Sequence, residues 1–198
     1  MQGLPERNRD NRAEFTRLLK EQTDVPDGFL TYLDTTDFFK APASTKYHDN
    51  HEGGLLQHSL NVYEKLTQLN YQFLMGFSDS SVIKTSLLHD VCKIGFYKRE
   101  HRNVRLEDGR WIRKEVWIVE DQLPLGHGEK SVAVLLQNGV PLTEEEMLAI
   151  RWHMLSFDDS SSSYGGGQAL SNAMNKSKLV SALHIADLMS TWLNGDTC

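Results

Sequence analysis

The chain has 198 residues, 39% of them hydrophobic, and a formal net charge of −6. That is enough apolar material for one domain with a core, while no apolar run approaches the ~20 residues of a membrane span, and an acidic protein is a poor default binder of long nucleic acid. The polar, mixed-charge start from Met1 to Asp10 is no signal peptide, and Cys92 and Cys198 form no CxxC pair, so a reducing cytoplasm is the expected compartment.

Most of the chain reads as helix. Phe15, Leu18, Leu19 and Gln22 suit an opening amphipathic helix. Phe29, Leu30 and Leu33, with Phe38 and Phe39, suit a second, ended by Ala41, Pro42, Ala43 and Ser44. These helices, within residues 1–44, are expected to pack on a domain spanning 45–198, the whole forming one compact unit. A polar loop runs from Tyr47 through His48 and His51 to Gly54. The next helix carries Leu55, His58, Val62, Leu66 and Leu69 on one face, which puts His58 on its buried stripe.

Residues 81–93 read as a helix capped by Ser80 or Ser81 and stopped by Gly95, with His89, Asp90 and Lys93 spaced to point one way. Val104–Leu106 and Trp111–Val119, joined through Glu107, Asp108 and Gly109, read as a β-hairpin. A helix follows from about His127 to Gln137, and Thr143 to Glu146 form a capping box that opens another reaching His153. Ser160 to Gly167, all serine, tyrosine and glycine, is expected to be a flexible loop and a mobile lid. The last helix spans about Asn175 to Leu193 and puts Asp187 on the face of Val180 and Leu183.

Metal-ligand chemistry is spread over His58, His89, Asp90, His127, His153 and Asp187. A lone histidine on an apolar face is usually a satisfied core residue. A buried carboxylate without a partner is costly, and a cation is one way to satisfy it. Imidazole with carboxylate suits Mn, Fe, Co, Ni or Zn better than Ca. Four histidines and two aspartates are generous for one ion and about right for two that share Asp90 as a bridge.

The order His58, His89-Asp90, Asp187, with HDxxK at 89–93, resembles the HD-domain superfamily of metal-dependent phosphohydrolases over roughly residues 45 to 193. The stretch from His51 to Leu60 is similar to the segment around the first ligand in HD domains of bacterial exonuclease type. The resemblance implies an all-α fold, a helical bundle with a small inserted β-hairpin. It implies one metal at His58, His89, Asp90 and Asp187 and a second at Asp90, His127 and His153. Asp90 and Lys93 would be catalytic, with Lys93 on the substrate phosphate. The implied reaction is cleavage of a phosphate ester of a nucleotide or similar small phosphorylated molecule by a metal-activated hydroxide.

His51, Lys93, Arg99, Arg102 and Tyr164 are the substrate-binding candidates. From Lys98 to Lys114 seven cations stand against three acids, either a solvated hairpin or an anion-binding arm. Tyr164, Phe157 and Trp111 suit stacking on a base, although aromatic residues in such places more often pack. His51 is favoured over His48, His184 reads as a core histidine, His101 as exposed, and Glu129 as an acid favoured at a helix N-terminus. Three other functions share the ligand set: a single-strand 3′–5′ exonuclease-like nuclease acting on short RNA or DNA, a nucleotide-binding regulatory module without turnover, and a di-iron oxygenase.

Overall fold

The structure, a computed structural model, describes residues 6–45 and 49–194, so Tyr47, His48 and Cys198 lie outside the described residues. Eight α-helices and one two-stranded antiparallel sheet form among those residues. They are α1 (Glu6–Gln22), α2 (Asp27–Thr35), α3 (Gly54–Gln72), α4 (Asp79–Leu88), β1 (Tyr97–Arg105), β2 (Trp111–Val119), α5 (His127–Gln137), α6 (Glu144–Trp152), α7 (Tyr164–Lys176) and α8 (Lys178–Met189). The expected helical bundle with a hairpin after the His89-Asp90 helix is therefore observed. Among the described residues no helix is long and apolar enough to cross a membrane.

Helix α3 is the axis of the bundle. Its 3.6-residue period buries Leu55, His58, Val62 and Leu66 along one stripe. At one end, Leu55 and Leu56 pack with Phe15 and Leu19 of α1, Phe29 and Leu33 of α2, and Leu87 and Leu88 of α4. At the other, Val62 and Leu66 pack with Ala149 of α6 and Leu179, Leu183 and Ala186 of α8. The N-terminal helices thus share a core with the helices that carry the candidate ligands. Each fully buried leucine or phenylalanine contributes about 1.5–3 kcal/mol.

Five expectations on element boundaries are corrected. The second helix stops at Thr35, because Thr36 turns its hydroxyl and its N–H onto the Leu33 carbonyl; Phe38 and Phe39 are buried from a turn instead. Helix α4 begins at Asp79 with Ser78 as its cap, and it ends at Leu88 rather than running to Lys93. Asp90 leaves the helix at φ −107°, ψ 17°, and residues 91–93 form one 3₁₀ turn. Strand β1 starts at Tyr97, seven residues before the expected Val104, because the pairing continues inward to Tyr97 opposite Val119.

The fourth correction removes the lid. Residues 160–167 are not a flexible loop: Asp159–Ser162 is a 3₁₀ turn and Tyr164 is the first residue of α7. Ser163 caps α7 by accepting the Gly166 N–H at 3.0 Å, and Leu170 and Ala173 pack against Trp152 and Val180. Capping and burial outweigh the poor helix propensity of three glycines in the first turn. The expected last helix is split at Ser177, whose hydroxyl accepts the Leu179 N–H and starts α8.

Candidate metal centre

The six expected ligands come from five helices and meet in one buried cluster. His58 lies on the inner stripe of α3 and Asp187 near the end of α8, and His58 Nε2 is 3.1 Å from Asp187 Oδ1. His89 and His153 occupy equivalent places, the C-cap positions of α4 and α6. His127 is the first residue of α5. The negative ends of α4 and α6 therefore face the cluster, a field that favours a cation.

Glycines set two of the approaches. A side chain at Gly128 would collide with the Arg151 carbonyl, so only glycine lets α5 lie this close to α6 and bring the His127 and His153 rings to 5.2 Å. Gly54 likewise leaves room for the Asp49 carbonyl where the loop meets α3.

Asp90 is the hub. Its Oδ1 is 2.7 Å from His127 Nε2 and 3.6 Å from His153 Nε2. Its Oδ2 is 2.7 Å from Lys93 Nζ, 3.4 Å from His89 Nε2 and 3.8 Å from His58 Nε2. Burial by itself would raise this carboxyl, but the Lys93 ammonium, aided by the hydrogen bond from His127, outweighs it and holds it well below the usual carboxylate range. Asp187 is displaced downward in the same way, against burial, by the imidazole of His58. Burial lowers His127 despite Asp90, whose carboxylate accepts the His127 Nε2–H.

The tautomers of two rings follow from their neighbours. His89 Nδ1 lies 2.8 Å from the Ser86 carbonyl and His153 Nδ1 lies 2.7 Å from the Ile150 carbonyl. A carbonyl only accepts, so each Nδ1 carries a proton and each ring turns its Nε2 to the cluster. Both Nε2 atoms are buried and have no hydrogen-bond partner. An imidazole nitrogen desolvated without a partner costs free energy; a cation supplies the missing interaction. Three sets of donor atoms lie within 4.8 Å of one another: His58, His89 and Asp187; His89, Asp90 and His153; Asp90, Cys92 and His127. These buried sets could hold a metal ion, and their nitrogen and oxygen donors fit a divalent transition metal.

Several contacts of the cluster were not expected from the sequence. Cys92 Sγ is 3.5 Å from the His127 ring nitrogens, and burial, with Asp90, pushes its thiol up to about 12, so it stays protonated. His184 Nδ1 reaches the His153 carbonyl at 2.6 Å and steadies the end of α6. Lys93 is nearly buried and divides its ammonium between Asp90 and the Ala43 carbonyl, 2.7 Å away, which Tyr97 also bonds through its hydroxyl. Lys93 was signalled by its spacing from Asp90 and by the HDxxK pattern; Ala43 is fifty positions away in sequence and carries no signal at all.

The substrate-binding candidates separate. His51 and Arg99 share a polar cavity of about 250 Å³ between the loop before α3 and the base of the hairpin, with Asn50, Glu52, Glu115 and Trp117 on its walls. Arg102 points to the other face of the hairpin and pairs with Glu100 at 2.6 Å. Tyr164 is 93% exposed at the start of α7 and makes no ring contact among the described residues. Glu129 pairs with Arg151. His101 is exposed, as expected. Compared with protein-family models, with curated proteins and with solved structures, the chain matches none.

Proposed function

We propose that this protein is a metal-dependent phosphohydrolase that cleaves a phosphate ester of a nucleotide or a similarly small phosphorylated molecule. One observation carries the reading: two buried imidazoles, His89 and His153, each with Nδ1 committed to a backbone carbonyl, leave unpartnered Nε2 atoms on the two sides of the same carboxylate. The resemblance to the HD-domain superfamily agrees with it. His58, His89, Asp90 and Asp187 would hold one ion, and Asp90, His127 and His153 a second. Bound there, Mn, Fe, Co, Ni or Zn would supply a water acidified towards neutral pH and counter-charge for the phosphoryl oxygens.

The chain's own groups have defined tasks. Asp90 stays ionised and offers one oxygen to each set of imidazoles. Lys93, whose ammonium is favoured by Asp90 against the cost of burial, keeps a fixed positive charge beside the carboxylate for the charge that develops on phosphate. The carbonyls of Ser86 and Ile150 hold the rings so that no reorientation is needed.

The test joins elemental analysis to product analysis. Protein reconstituted with Mn, Fe or Co is offered nucleoside mono-, di- and triphosphates, cyclic dinucleotides and short oligonucleotides, with Asp90→Ala as control. Metal retention and cleavage of one class, both lost in the control, are expected. Full metal content and rate in Asp90→Ala, or no turnover of any class by the metal-loaded protein, would overturn the proposal.

A further inference from the structure

The β1–β2 ribbon projects from the helices. It is exposed from Lys98 to Asn103 on one strand and from Trp111 to Glu115 on the other. A two-stranded ribbon alone in water is marginal, so this outer part gains from any partner that covers it.

Alternation sorts the ribbon into two faces. One face carries the opposed pairs Arg99 and Trp117, His101 and Glu115, Asn103 and Arg113, Arg105 and Trp111. Three arginines there meet one glutamate. The Arg99 guanidinium lies 4.6 Å from the Trp117 ring centroid, and Trp111 is 67% exposed. The two indoles are six positions apart on one strand, roughly 20 Å at the rise of a β-strand. Arg113 has no ion pair among the described residues. The other face, with Lys98, Glu100, Arg102 and Val104 opposite Ile118, Val116, Lys114 and Ile112, carries cations but no tryptophan or tyrosine. The inner end of the indole-bearing face opens on the cavity that holds His51 and Arg99.

Cations alternating with indoles, of which Trp111 is exposed and Trp117 half-buried beneath Arg99, match a flexible polyanion that has free flat rings. A duplex shows its phosphates but hides its base faces, and an acidic peptide has charge without rings. The rest of this acidic chain repels a polyanion, which leaves the ribbon as its landing place. We propose that the Arg99–Trp117–Arg113–Trp111 face is a platform for single-stranded nucleic acid, leading the strand towards the cavity at the base of the hairpin. The proposal deepens the phosphohydrolase reading by naming an oligonucleotide as substrate, and it rests on that reading for cleavage alone.

Binding is tested apart from turnover. The full chain is titrated against a labelled single-stranded phosphorothioate oligonucleotide of about twelve nucleotides, followed by fluorescence anisotropy. Trp111→Ala and Arg113→Glu are each expected to weaken binding about ten-fold or more. Arg102→Glu makes the same charge change on the opposite face and should weaken it less than about three-fold, as a screened, distant charge does. All three residues are exposed, so the variants keep the fold, and circular dichroism checks that. Absence of binding, equal losses in Arg113→Glu and Arg102→Glu, or equal competition by a duplex or by polyglutamate would each overturn the platform. Small-ester hydrolysis is assayed in parallel. Oligonucleotide binding without hydrolysis of any ester would sink the phosphohydrolase reading and leave the platform standing; hydrolysis without oligonucleotide binding would do the reverse.

Discussion

His89, Asp90 and His153 are at most 2% exposed; each histidine is fixed by a carbonyl of its own helix and Asp90 by His127 of another. Trp111, Ile112 and Val119 of the ribbon are 38–67% exposed. The two regions are adjacent in sequence: β1 begins seven residues after Asp90. In the first, desolvation makes every polar atom expensive, so each nitrogen and oxygen needs a partner and geometry is rigid. In the second, water satisfies the polar groups, and the ribbon keeps its exposed rings and cations without any core to justify them. Burial thus marks the candidate chemistry, and exposure marks the candidate recognition surface.

The sharpest test of the buried side is Asp90→Ala. It removes the carboxylate between His127, His153 and Lys93 and leaves a nearly buried ammonium uncompensated. We expect metal content and hydrolysis to fall to background and stability to drop by about 3–5 kcal/mol, measured by elemental analysis, product assay and denaturant titration. Asp90→Asn should recover part of the stability and none of the metal, because the amide still accepts from Lys93 without supplying charge.

Chelation asks the same question without mutation. If the unpartnered Nε2 atoms of His89 and His153 bind a cation, EDTA should lower Tm and the metal should restore it. The gain is about 2.7 kcal/mol at a hundred-fold excess over Kd. Thermal melts across a metal titration read it directly, and a flat Tm would mean that the cluster is satisfied as protein alone.

Gly128→Ala ranks next. The new methyl meets the Arg151 backbone, so α5 must move away from α6 and carry His127 off Asp90. A stability loss of about 1–3 kcal/mol should come with weaker metal binding. Loss of stability with unchanged metal affinity would show that the His127 side of the cluster is dispensable.

The same contrast explains what the sequence made legible. The buried stripe of α3 follows from period alone, and all six candidate ligands stood out as histidines and aspartates on apolar faces or at helix ends. The end of α6 at His153 was legible too, but that of α4 was not, because it depends on the His89 ring turning back to the Ser86 carbonyl three residues earlier. Helix α7 was hidden by its glycines, whose local preference is overridden by the Ser163 cap and the packing of Ala173. Lys93 was placed on the right side of Asp90, but its second partner, Ala43, is a tertiary contact with no local signature. On the ribbon the exposed pairs were assigned to a hairpin, yet only the register separates Arg99 and Arg113 from Arg102.

The smallest effect compares two aspartates held alike in the two regions. Asp158 of the helical body accepts from the Ser160 N–H and hydroxyl and pairs with Arg151 at 2.6 Å. Asp108, at the ribbon's turn, accepts from the Arg110 N–H and pairs with its guanidinium at 2.7 Å. Both carboxyls sit below their usual range; for Asp158 burial opposes the shift and the serine and arginine bonds overcome it, whereas for Asp108 the Arg110 side chain is the main cause. A lowered folded value stabilises above the ordinary carboxyl pKa of about 4, and that contribution is lost as pH falls through the lower folded value. Asp158→Asn should therefore cost about 1 kcal/mol near neutral pH, with the difference from the parent protein shrinking steadily in acid. Asp108→Asn should leave the melting curve unchanged at every pH, since water replaces what the exposed pair supplies. Equal losses at the two positions would break the comparison, because the ribbon's turn would then be ordered by its own contacts as firmly as the helical body is.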